Sequence, residues 1–482
     1  MALENCEPKR VFHYFEEISK IPRGSGNTEQ ISNYLVQFAK EHGLSYIQDE
    51  LGNVIIRKPA TAGYENAPGV ILQGHMDMVC EKRPDVDHDF TKDGLTLSVE
   101  DGFVTANGTT LGGDNGIAVA YSLAILESNE IVHPALEVVI TVDEEIGLLG
   151  AEAMDCSVLK GRRLLNLDSE EEGFLLVSCA GGQTSISHIP VCRAEAEGEK
   201  LKVKVCGLLG GHSGIEIDKG RASASILLGR FLYKLKEESS FGLIHLEGGQ
   251  KDNAIPREAF AEILVTKEDV DTVKRIAASL EDAFRAEYAG TDEGITVVVE
   301  ELGTASEKVL HPTSCEKVIF YLMNVISGVV KMSGTIDNLV QTSTNMGVMK
   351  LTEDEFTTAS SVRSSVETGR DMLSDKLAYL TEFIGGEYEV KGAYPAWEYR
   401  KDSPLRDKMI EVYKEMYGEE PQVIAIHAGL ECGLFFQKME GLDSISFGPD
   451  MKNVHTSEER LSVASTERVW KYLLKTLEAL KD

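Results

Sequence analysis

The sequence predicts an α/β protein, in which a doubly wound mixed sheet is interrupted by an inserted, apparently duplicated α+β domain of ferredoxin-like pattern. Short apolar runs bounded by turn residues alternate with helical segments, which is typical of a doubly wound sheet. These runs include "GVILQG", "ALEVVITV" and "RRLLNLD". After "CAGGQTS" the strands begin to alternate apolar and polar residues, which indicates a separate domain with a half-exposed sheet.

The inserted segment has a repeated order of elements. From "EKLKVKVCGL" to "GITVVVEEL" the pattern is β-α-β-β-α-β, and from His311 the order α-β-β-α-β returns. This repetition predicts an approximate internal duplication. The α/β pattern resumes at Trp397 and ends in an amphipathic helix. We therefore expect a discontinuous first domain over residues 1–186 and 397–482, and an inserted domain over 187–396.

Composition excludes several classes of protein. The 482 residues suffice for two to four domains, and the net charge of −31 argues against nucleic acid and anionic membranes as partners. No apolar run approaches the ~20 residues that span a bilayer. Acids occur early in the first helix, so we expect no secretory leader. The eight cysteines form no CxxC pair, which is typical of reduced thiols in a cytoplasmic protein.

Three adjacent acids follow the apolar strand "ALEVVITV", namely Asp143, Glu144 and Glu145. Adjacent carboxylates repel one another and are costly to remove from water. One interpretation is a solvated turn, and the other is a cation site.

Other segments place metal-capable side chains in equivalent positions. In open α/β sheets, ligands bind beyond the carboxyl ends of the strands. Each of these residues alone has an ordinary interpretation, such as a structural histidine or a helix N-cap. Their joint occurrence predicts a metal site, and imidazole with carboxylate suits zinc or manganese. The residues at strand ends or at the start of a helix are His75, Asp77, Asp114, Asp168 and His455.

The ordered motifs also carry a family resemblance. The set "GHMDMV", "LGGDNG", "TVDEEIGLLGA", "NLDSEE" and "NVHTSEER" resembles the co-catalytic di-zinc peptidases, which include carboxypeptidase G, aminoacylases and cytosolic dipeptidases. Within this group the chain looks like the aminoacyl-histidine dipeptidases, also called Xaa-His, carnosinase-like or cytosolic non-specific dipeptidases. The resemblance covers nearly the whole chain. It implies that residues 1–186 and 397–482 form the catalytic domain and 187–396 the lid domain.

The resemblance implies a role for each motif residue. Asp114 bridges two zinc ions, His75 and Asp168 complete one site, and Glu145 and His455 complete the other. Asp77 orients His75. Glu144 is the general base, which acts on a zinc-activated water to hydrolyse dipeptides of the Xaa-His type, such as carnosine, with broad specificity. Cobalt or manganese can substitute for zinc. The resemblance thus favours a cation site over a solvated turn for the three adjacent acids, because it implies that Glu145 binds a cation.

Further expectations concern the lid and the assembly. The resemblance implies that His212, Asn253 and Arg363 bind the substrate, with His212 at the oxyanion and Arg363 at the carboxylate. Relatives with a smaller lid dimerise through it, so we expect a homodimer. The roles of His427 and Glu431 in "HAGLECG" stay open.

Two other functions remain as alternatives. A related di-zinc amidohydrolase, such as an aminoacylase or a tripeptidase, would act on a different small amide. Asp168 favours the aminopeptidase and dipeptidase branches, because the carboxypeptidase and deacylase branches tend to have Glu at this position. An inactive peptide-binding relative is the third reading, but the ligands and the base are all present.

Overall fold

The computed structural model describes residues 2–481. Its strands in chain order are β1 (Ser45–Gln48), β2 (Val54–Lys58), β3 (Val70–His75), β4 (Leu97–Glu100), β5 (Phe103–Ala106), β6 (Leu136–Thr141), β7 (Arg163–Asn166), β8 (Phe174–Cys179), β9 (Gly181–Pro190), β10 (Arg193–Cys206), β11 (Gly211–His212), β12 (Gly242–Gly248), β13 (Ala254–Ile255), β14 (Ala259–Val265), β15 (Thr296–Leu310), β16 (Gly328–Met332), β17 (Val340–Leu351), β18 (Glu355–Ser364), β19 (Glu387–Tyr394), β20 (Gln422–Ile426), β21 (Asp443–Ser446), β22 (Met451–Lys452) and β23 (Arg460–Ser462).

The helices in chain order are α1 (Lys9–Ser19), α2 (Glu29–Glu41), α3 (Gly113–Glu127), α4 (Leu149–Ala153), α5 (Ala224–Glu238), α6 (Val270–Glu287), α7 (Pro312–Asn324), α8 (Glu367–Phe383), α9 (Pro404–Tyr417), α10 (Glu431–Lys438) and α11 (Val463–Ala479). None of the helices within residues 2–481 is both long enough and apolar enough to cross a bilayer.

Contacts within the chain define two compact units. The first comprises residues 2–179, Trp397–Ala425 and residues 430–481, and the second comprises Ala180–Ala396 with Ile426–Gly429. The second unit thus begins at Ala180, just before β9, whereas the sequence analysis places the boundary at residue 187. It also takes in the segment Ile426–Gly429, which the sequence analysis assigns to the C-terminal part of the first domain.

The first unit contains a mixed sheet in the order β1-β2-β6-β3-β7-β21-β8-β20. Strands β6, β3, β7 and β21 run parallel to one another, whereas the pairs β1–β2, β2–β6 and β21–β8 are antiparallel. Every residue of β3 and β6 is buried, which is typical of strands covered on both faces. The predicted doubly wound mixed sheet is confirmed. Because β6, β3 and β7 are parallel neighbours, their carboxyl ends lie at one edge.

The second unit is built on an antiparallel sheet in the order β15-β10-β14-β12-β17-β18-β9-β19. Its first half, β10-α5-β12-β14-α6-β15, has the strand order 4-1-3-2 of a ferredoxin-like fold. Its second half, β9-α7-β17-β18-α8-β19, has the same order listed in reverse. The apolar faces of both halves contribute to a shared core, which includes Leu201, Phe231 and Phe356.

The two halves are nested rather than consecutive. Strand β9 precedes β10 in the chain but pairs with β18 and β19 of the second half. The first half is therefore inserted after the first strand of the second half. The ends of this insertion meet, because the N–H of His311 donates to the carbonyl of Cys192 at 2.8 Å. The predicted duplication is confirmed in element order, and the nesting explains why the sequence after His311 lacked a first strand.

Candidate metal centre

Asp114 lies at the centre of a cluster of imidazole and carboxylate groups in the first unit. It is at the start of α3, and its two carboxylate oxygens face different histidines. Its Oδ1 lies 3.1 Å from Nε2 of His75, and its Oδ2 lies 3.1 Å from Nε2 of His455. Glu145 Oε1 is 3.0 Å from the same nitrogen of His455. Asp168 Oδ1 is 3.6 Å from Nε2 of His75.

The fold explains how separate segments reach this cluster. His75 is the last residue of β3, and Asp168 follows β7 after one residue. Glu145 lies in the loop after β6, beyond the same edge of the sheet. His455 lies between the short strands β22 and β23, with the left-handed backbone φ of 64°. The peptide bond between Asp114 and Asn115 is cis.

The five predicted ligands form two sets of three that share Asp114. Ligand atoms of His75, Asp114 and Asp168 lie within 4.8 Å of one another, and so do those of Asp114, Glu145 and His455. A third set brings Glu144 together with His75 and Glu145. Glu144 is therefore near the cluster, but it belongs to neither of the two sets that share Asp114.

Asp77 holds both the histidine and the acidic loop. Its Oδ1 lies 3.3 Å from Nδ1 of His75 and accepts the N–H of Glu144 at 3.0 Å. Its Oδ2 accepts the N–H of Glu145 at 3.3 Å and the hydroxyl of Ser25 at 2.8 Å. The sequence analysis predicted only the contact with His75. Because it accepts the backbone N–H groups of Glu144 and Glu145, Asp77 also fixes the position of the backbone at both glutamates.

The three acids of the run have different environments. Asp143 has a left-handed φ of 51°, and its carboxylate accepts the N–H of Gly26 at 2.7 Å, so it stabilises a turn. Glu145 reaches His455, as described above. Glu144 turns towards the cluster without a hydrogen-bonded partner of opposite charge. Asp143 thus belongs to none of the sets of potential metal ligands, unlike the two glutamates.

The charges in this cluster are dominated by carboxylates. Burial raises the pKa of Glu144 well above its usual value, and the charges of Asp168, Glu431 and Asp114 act in the same direction. Burial likewise raises the pKa of Glu145 and of Asp168. These groups resist ionisation because too many negative charges share a buried space.

The histidines respond in the opposite direction. Burial lowers the pKa of His75, but Asp168, Asp114 and Asp77 outweigh it, so that this pKa lies well above the usual value. Hydrogen bonds to Asp114 and Glu145 raise the pKa of the half-exposed His455 to about 11. The cluster therefore attracts positive charge. Two carboxylate-bridged sets of imidazole and carboxylate donors fit divalent metal ions such as zinc or manganese.

The sequence analysis did not predict several residues that hold the cluster in place. Asn115 connects two strand ends, since its Oδ1 accepts the N–H of His75 at 3.3 Å and its Nδ2 donates to the carbonyl of Leu167 at 2.8 Å. Glu459 and Arg23 are buried beside the loop that precedes Asp114. Asn115 and Glu459 lie within the motifs "LGGDNG" and "NVHTSEER", but the sequence alone assigns neither of them a role.

Glu431 is part of a buried polar network behind the cluster. Its carboxylate accepts from Nε2 of Gln73 at 2.5 Å and from the hydroxyl of Thr141 at 2.8 Å. Burial raises its pKa to about 7. Gln73 and Thr141 belong to β3 and β6, so Glu431 connects α10 to the strands that carry the site.

The second unit places His212 beside Asn253. Strands β11 and β13 pair His212 with Ala254, and the N–H of Ser213 donates to the carbonyl of Asn253 at 2.8 Å. The N–H groups of Gly214 and Ile215 both donate to Nδ1 of His212, at 3.1 and 3.2 Å. Because Nδ1 is an acceptor, a neutral His212 carries its proton on Nε2.

Arg363 is buried in the same unit, between Tyr394 and a serine–histidine pair. Its Nη1 donates to the hydroxyl of Tyr394 at 3.0 Å. Its register partner on β17 is Ser343, whose hydroxyl is 2.7 Å from Nε2 of His427. Burial and the charge of Arg363 lower the pKa of His427 to about 3 and also lower that of His212. Arg363 therefore has neutral imidazoles for neighbours.

Comparison with known proteins also indicates a peptidase. The model of peptidase family M20/M25/M40 matches residues 71–479. The cytosol non-specific dipeptidase of Escherichia coli (strain K12) is 37% identical over 481 residues, covering 99% of each chain. The solved structure of aminoacylhistidine dipeptidase from Vibrio alginolyticus has 37% identity and a TM-score of 0.93, covering 99% of this chain and 98% of that one. Aminopeptidase PepT from Bacillus cereus ATCC 10987 shares the fold, with 15% identity and a TM-score of 0.58 over 99% of this chain and 100% of that one.

These similarities confirm the family resemblance found in the motifs. The matched region includes the segments that carry His75, Asp114 and His455. The similarity to the two 37% identical proteins extends through the inserted lid as well as the mixed sheet. The chain belongs to peptidase family M20/M25/M40 and is a metallopeptidase, an enzyme that hydrolyses peptide bonds.

Proposed function

We propose that this metallopeptidase is a zinc-dependent dipeptidase of broad specificity, which hydrolyses dipeptides including the Xaa-His type. The observation that carries the proposal is the position of Asp114 between His75 and His455, with Glu144 beside the cluster. The dipeptide substrate is supported by two relatives, both named as dipeptidases, that are 37% identical along nearly the whole chain.

Two zinc ions would be held by the two sets of residues that share Asp114. His75 and Asp168 complete one set, and Glu145 and His455 complete the other. Bound zinc supplies Lewis acidity, which polarises a carbonyl group and makes water easier to deprotonate. Cobalt and manganese, which accept the same nitrogen and oxygen donors, would substitute.

Glu144 is the proposed general base. It accepts a proton from the attacking water and returns it to the leaving amine. Its backbone is fixed by Asp77, so the carboxylate starts from a defined position.

The second unit supplies the proposed substrate-binding residues. With its proton on Nε2, His212 can donate to the oxygen that becomes negative during attack. Arg363 is buried and charged, which suits binding of the C-terminal carboxylate of a dipeptide. Asn253 is exposed next to His212, and its side-chain amide would form hydrogen bonds with the backbone of the bound dipeptide.

The test of this function is a substrate panel measured with defined metals. Protein stripped with a chelator should lose activity and regain it with zinc, cobalt or manganese. Dipeptides, carnosine among them, should be cleaved with a higher kcat/KM than tripeptides or N-acetyl amino acids. A preference for tripeptides would instead indicate a tripeptidase, and a preference for N-acetyl amino acids an aminoacylase. Activity on none of them, with metal bound, would indicate an inactive peptide-binding protein.

We further propose a homodimer in the cytoplasm, with small peptides rather than nucleic acid or membranes as partners. The name of the Escherichia coli relative supports the compartment. The dimer is supported by an exposed apolar surface on α7 and α8, where the exposed fractions are 40% for Phe320, 71% for Tyr379 and 69% for Phe383. Such contiguous apolar surfaces are typical of interfaces between proteins.

A mixing experiment tests whether a dimer shares its active sites. Glu144→Ala and His212→Ala proteins, each inactive alone, are combined under conditions that allow subunits to exchange. If His212 acts on the partner's substrate, a mixed dimer has one site with both residues, and activity should return to a substantial fraction of wild type. If activity stays absent and light scattering gives a monomer, the dimer proposal is wrong. Glu152→Ala, a variant of an exposed residue, serves as the matched control in the exchange.

A further inference from the structure

The carboxylate of Glu459 is surrounded by four backbone N–H groups of the loop that leads into α3. Its Oε2 accepts from Leu111 at 2.8 Å and from Gly112 at 3.1 Å. Its Oε1 accepts from Gly113 at 2.8 Å and from Asp114 at 3.3 Å. Glu459 is only 3% exposed. Each oxygen therefore fixes two consecutive peptide groups, and the last of them belongs to Asp114.

The backbone of Glu459 is linked to the segment that carries His455 by hydrogen bonds. Within this segment the N–H of Glu459 donates to the carbonyl of Thr456 at 3.1 Å, and that of Thr456 donates to Asn453 at 3.2 Å. His455 therefore lies within the first of two successive turns, and Glu459 ends the second. Any shift of Glu459 would move His455 with it, because so short and hydrogen-bonded a segment has little freedom.

Arg23 provides the opposite charge on the other side of the loop. Its buried guanidinium donates to the carbonyls of Met76 at 3.1 Å, Asp77 at 3.3 Å and Gly112 at 2.5 Å. Burial lowers the pKa of Arg23, and the negative charge of Glu459 opposes that shift. Gly112 has a left-handed φ of 62°, and a Cβ at this position would collide with the guanidinium. The carbonyl of Gly112 thus faces Arg23, while the N–H groups of residues 111–114 face Glu459.

We propose that Glu459 is a positioning residue, which sets the distance between Asp114 and His455 and so forms the half of the metal centre that contains Glu145. This inference rests on the proposed metal-dependent function. It assigns Glu459 no contact with metal or substrate. Its effect passes through the backbone of residues 111–114 on one side and the turns that carry His455 on the other.

The chemistry explains why a carboxylate is needed at this position. Four N–H groups require acceptors, and a carboxylate has two oxygens with about four lone-pair sites. A glutamine amide has one oxygen, and its NH2 group would face two of the N–H donors. It would also remove one of the carboxylate charges that act on the buried Arg23, leaving those of Asp77 and Asp114. The loop would have to move to relieve these contacts, and Asp114 would move with it.

The experiment compares Glu459→Gln with Glu458→Gln. Glu458 is the adjacent acid, but its side chain is 64% exposed, with Arg83 at 3.8 Å. Metal-free proteins are titrated with Co²⁺, and binding is followed by calorimetry and by visible absorbance. We expect Glu459→Gln to weaken one of the two Co²⁺ sites, the one that contains Glu145, by about 10- to 100-fold, the usual effect of losing a residue that supports a ligand. Glu458→Gln should bind like wild type.

Activity measured against Co²⁺ concentration separates positioning from general damage. If Glu459 only positions the site, the variant needs more Co²⁺, but its kcat at saturating Co²⁺ should stay within about threefold of wild type. Unchanged Co²⁺ affinities, or a low kcat at saturation with normal affinities, would overturn the proposal. If wild type itself lacks two Co²⁺ sites, the proposed metal-dependent function fails, which is distinct from a failure confined to Glu459.

A second variant, Glu459→Asp, tests the proposal if Glu459→Gln does not fold. Glu459→Asp keeps the charge but shortens the side chain by one methylene, so its oxygens cannot reach both pairs of N–H groups without moving the loop. If Glu459→Gln does not fold, Glu459→Asp should fold and show the weaker Co²⁺ site. If neither variant folds, Glu459 is required for the fold rather than for positioning, and the proposal is wrong.

Discussion

Replacing Glu144 with alanine is expected to lower kcat by at least ~10²–10⁴, because removal of a general base typically has effects of that size. The metal content should remain close to that of wild type, since Glu144 lies outside both ligand sets that share Asp114. The measurements are steady-state kinetics on a dipeptide and metal analysis of the same preparation. The combination of lost turnover with retained metal separates a base from a ligand.

The neighbouring acid provides the control. Asp143→Asn removes one charge from the same run, but Asp143 accepts from Gly26 and does not enter the cluster. Its kcat should stay within a few-fold of wild type. If Glu144→Ala retains activity within about tenfold, or loses its metal, the assignment of Glu144 as the base is wrong.

Replacing Asp114 with alanine should remove metal from both halves of the centre and abolish activity. Both of its oxygens are used, with His75 at 3.1 Å from one and His455 at 3.1 Å from the other. Loss of a direct ligand should exceed the 10–100-fold loss in affinity that is typical when a supporting residue is removed. Metal analysis after dialysis and a Co²⁺ titration measure the result.

Glu145→Ala gives the matched comparison. Glu145 belongs to the set with His455 but not to the set with Asp168. This variant should therefore keep one metal and lose the other. An Asp114→Ala protein that still binds two metal ions tightly would contradict the bridging role.

The position of the imidazole and carboxylate cluster was predictable because it follows from sheet topology. Parallel neighbouring strands present their carboxyl ends at one edge, so His75 and Asp168 meet wherever their strands are adjacent. Glu459 was not predictable in the same way. Its motif reads "SEER", and nothing in these letters shows which of two adjacent glutamates is buried against N–H groups. That distinction depends on the left-handed backbone at His455 and the turns after it.

The nested lid was also beyond sequence reasoning. Strands β9 and β10 are consecutive in the chain. Yet β9 pairs with β18, Thr184 lying opposite Ser361 and Gly182 opposite Arg363, partners that come far later in the chain. Such distant pairings are decided by the packing of the whole core, and local periodicity carries no information about them.

The meeting of Cys192 and His311 at the ends of the inserted half makes this part of the lid a self-contained cassette. A segment whose two ends already touch can be acquired, lengthened or lost in evolution without redirecting the chain on either side. His212 and Asn253 belong to the cassette, whereas Arg363 belongs to the host framework around it. A single replacement of this segment would therefore change His212 and Asn253 together and leave Arg363 in place. The two parts of the proposed substrate site are thus free to evolve at different rates.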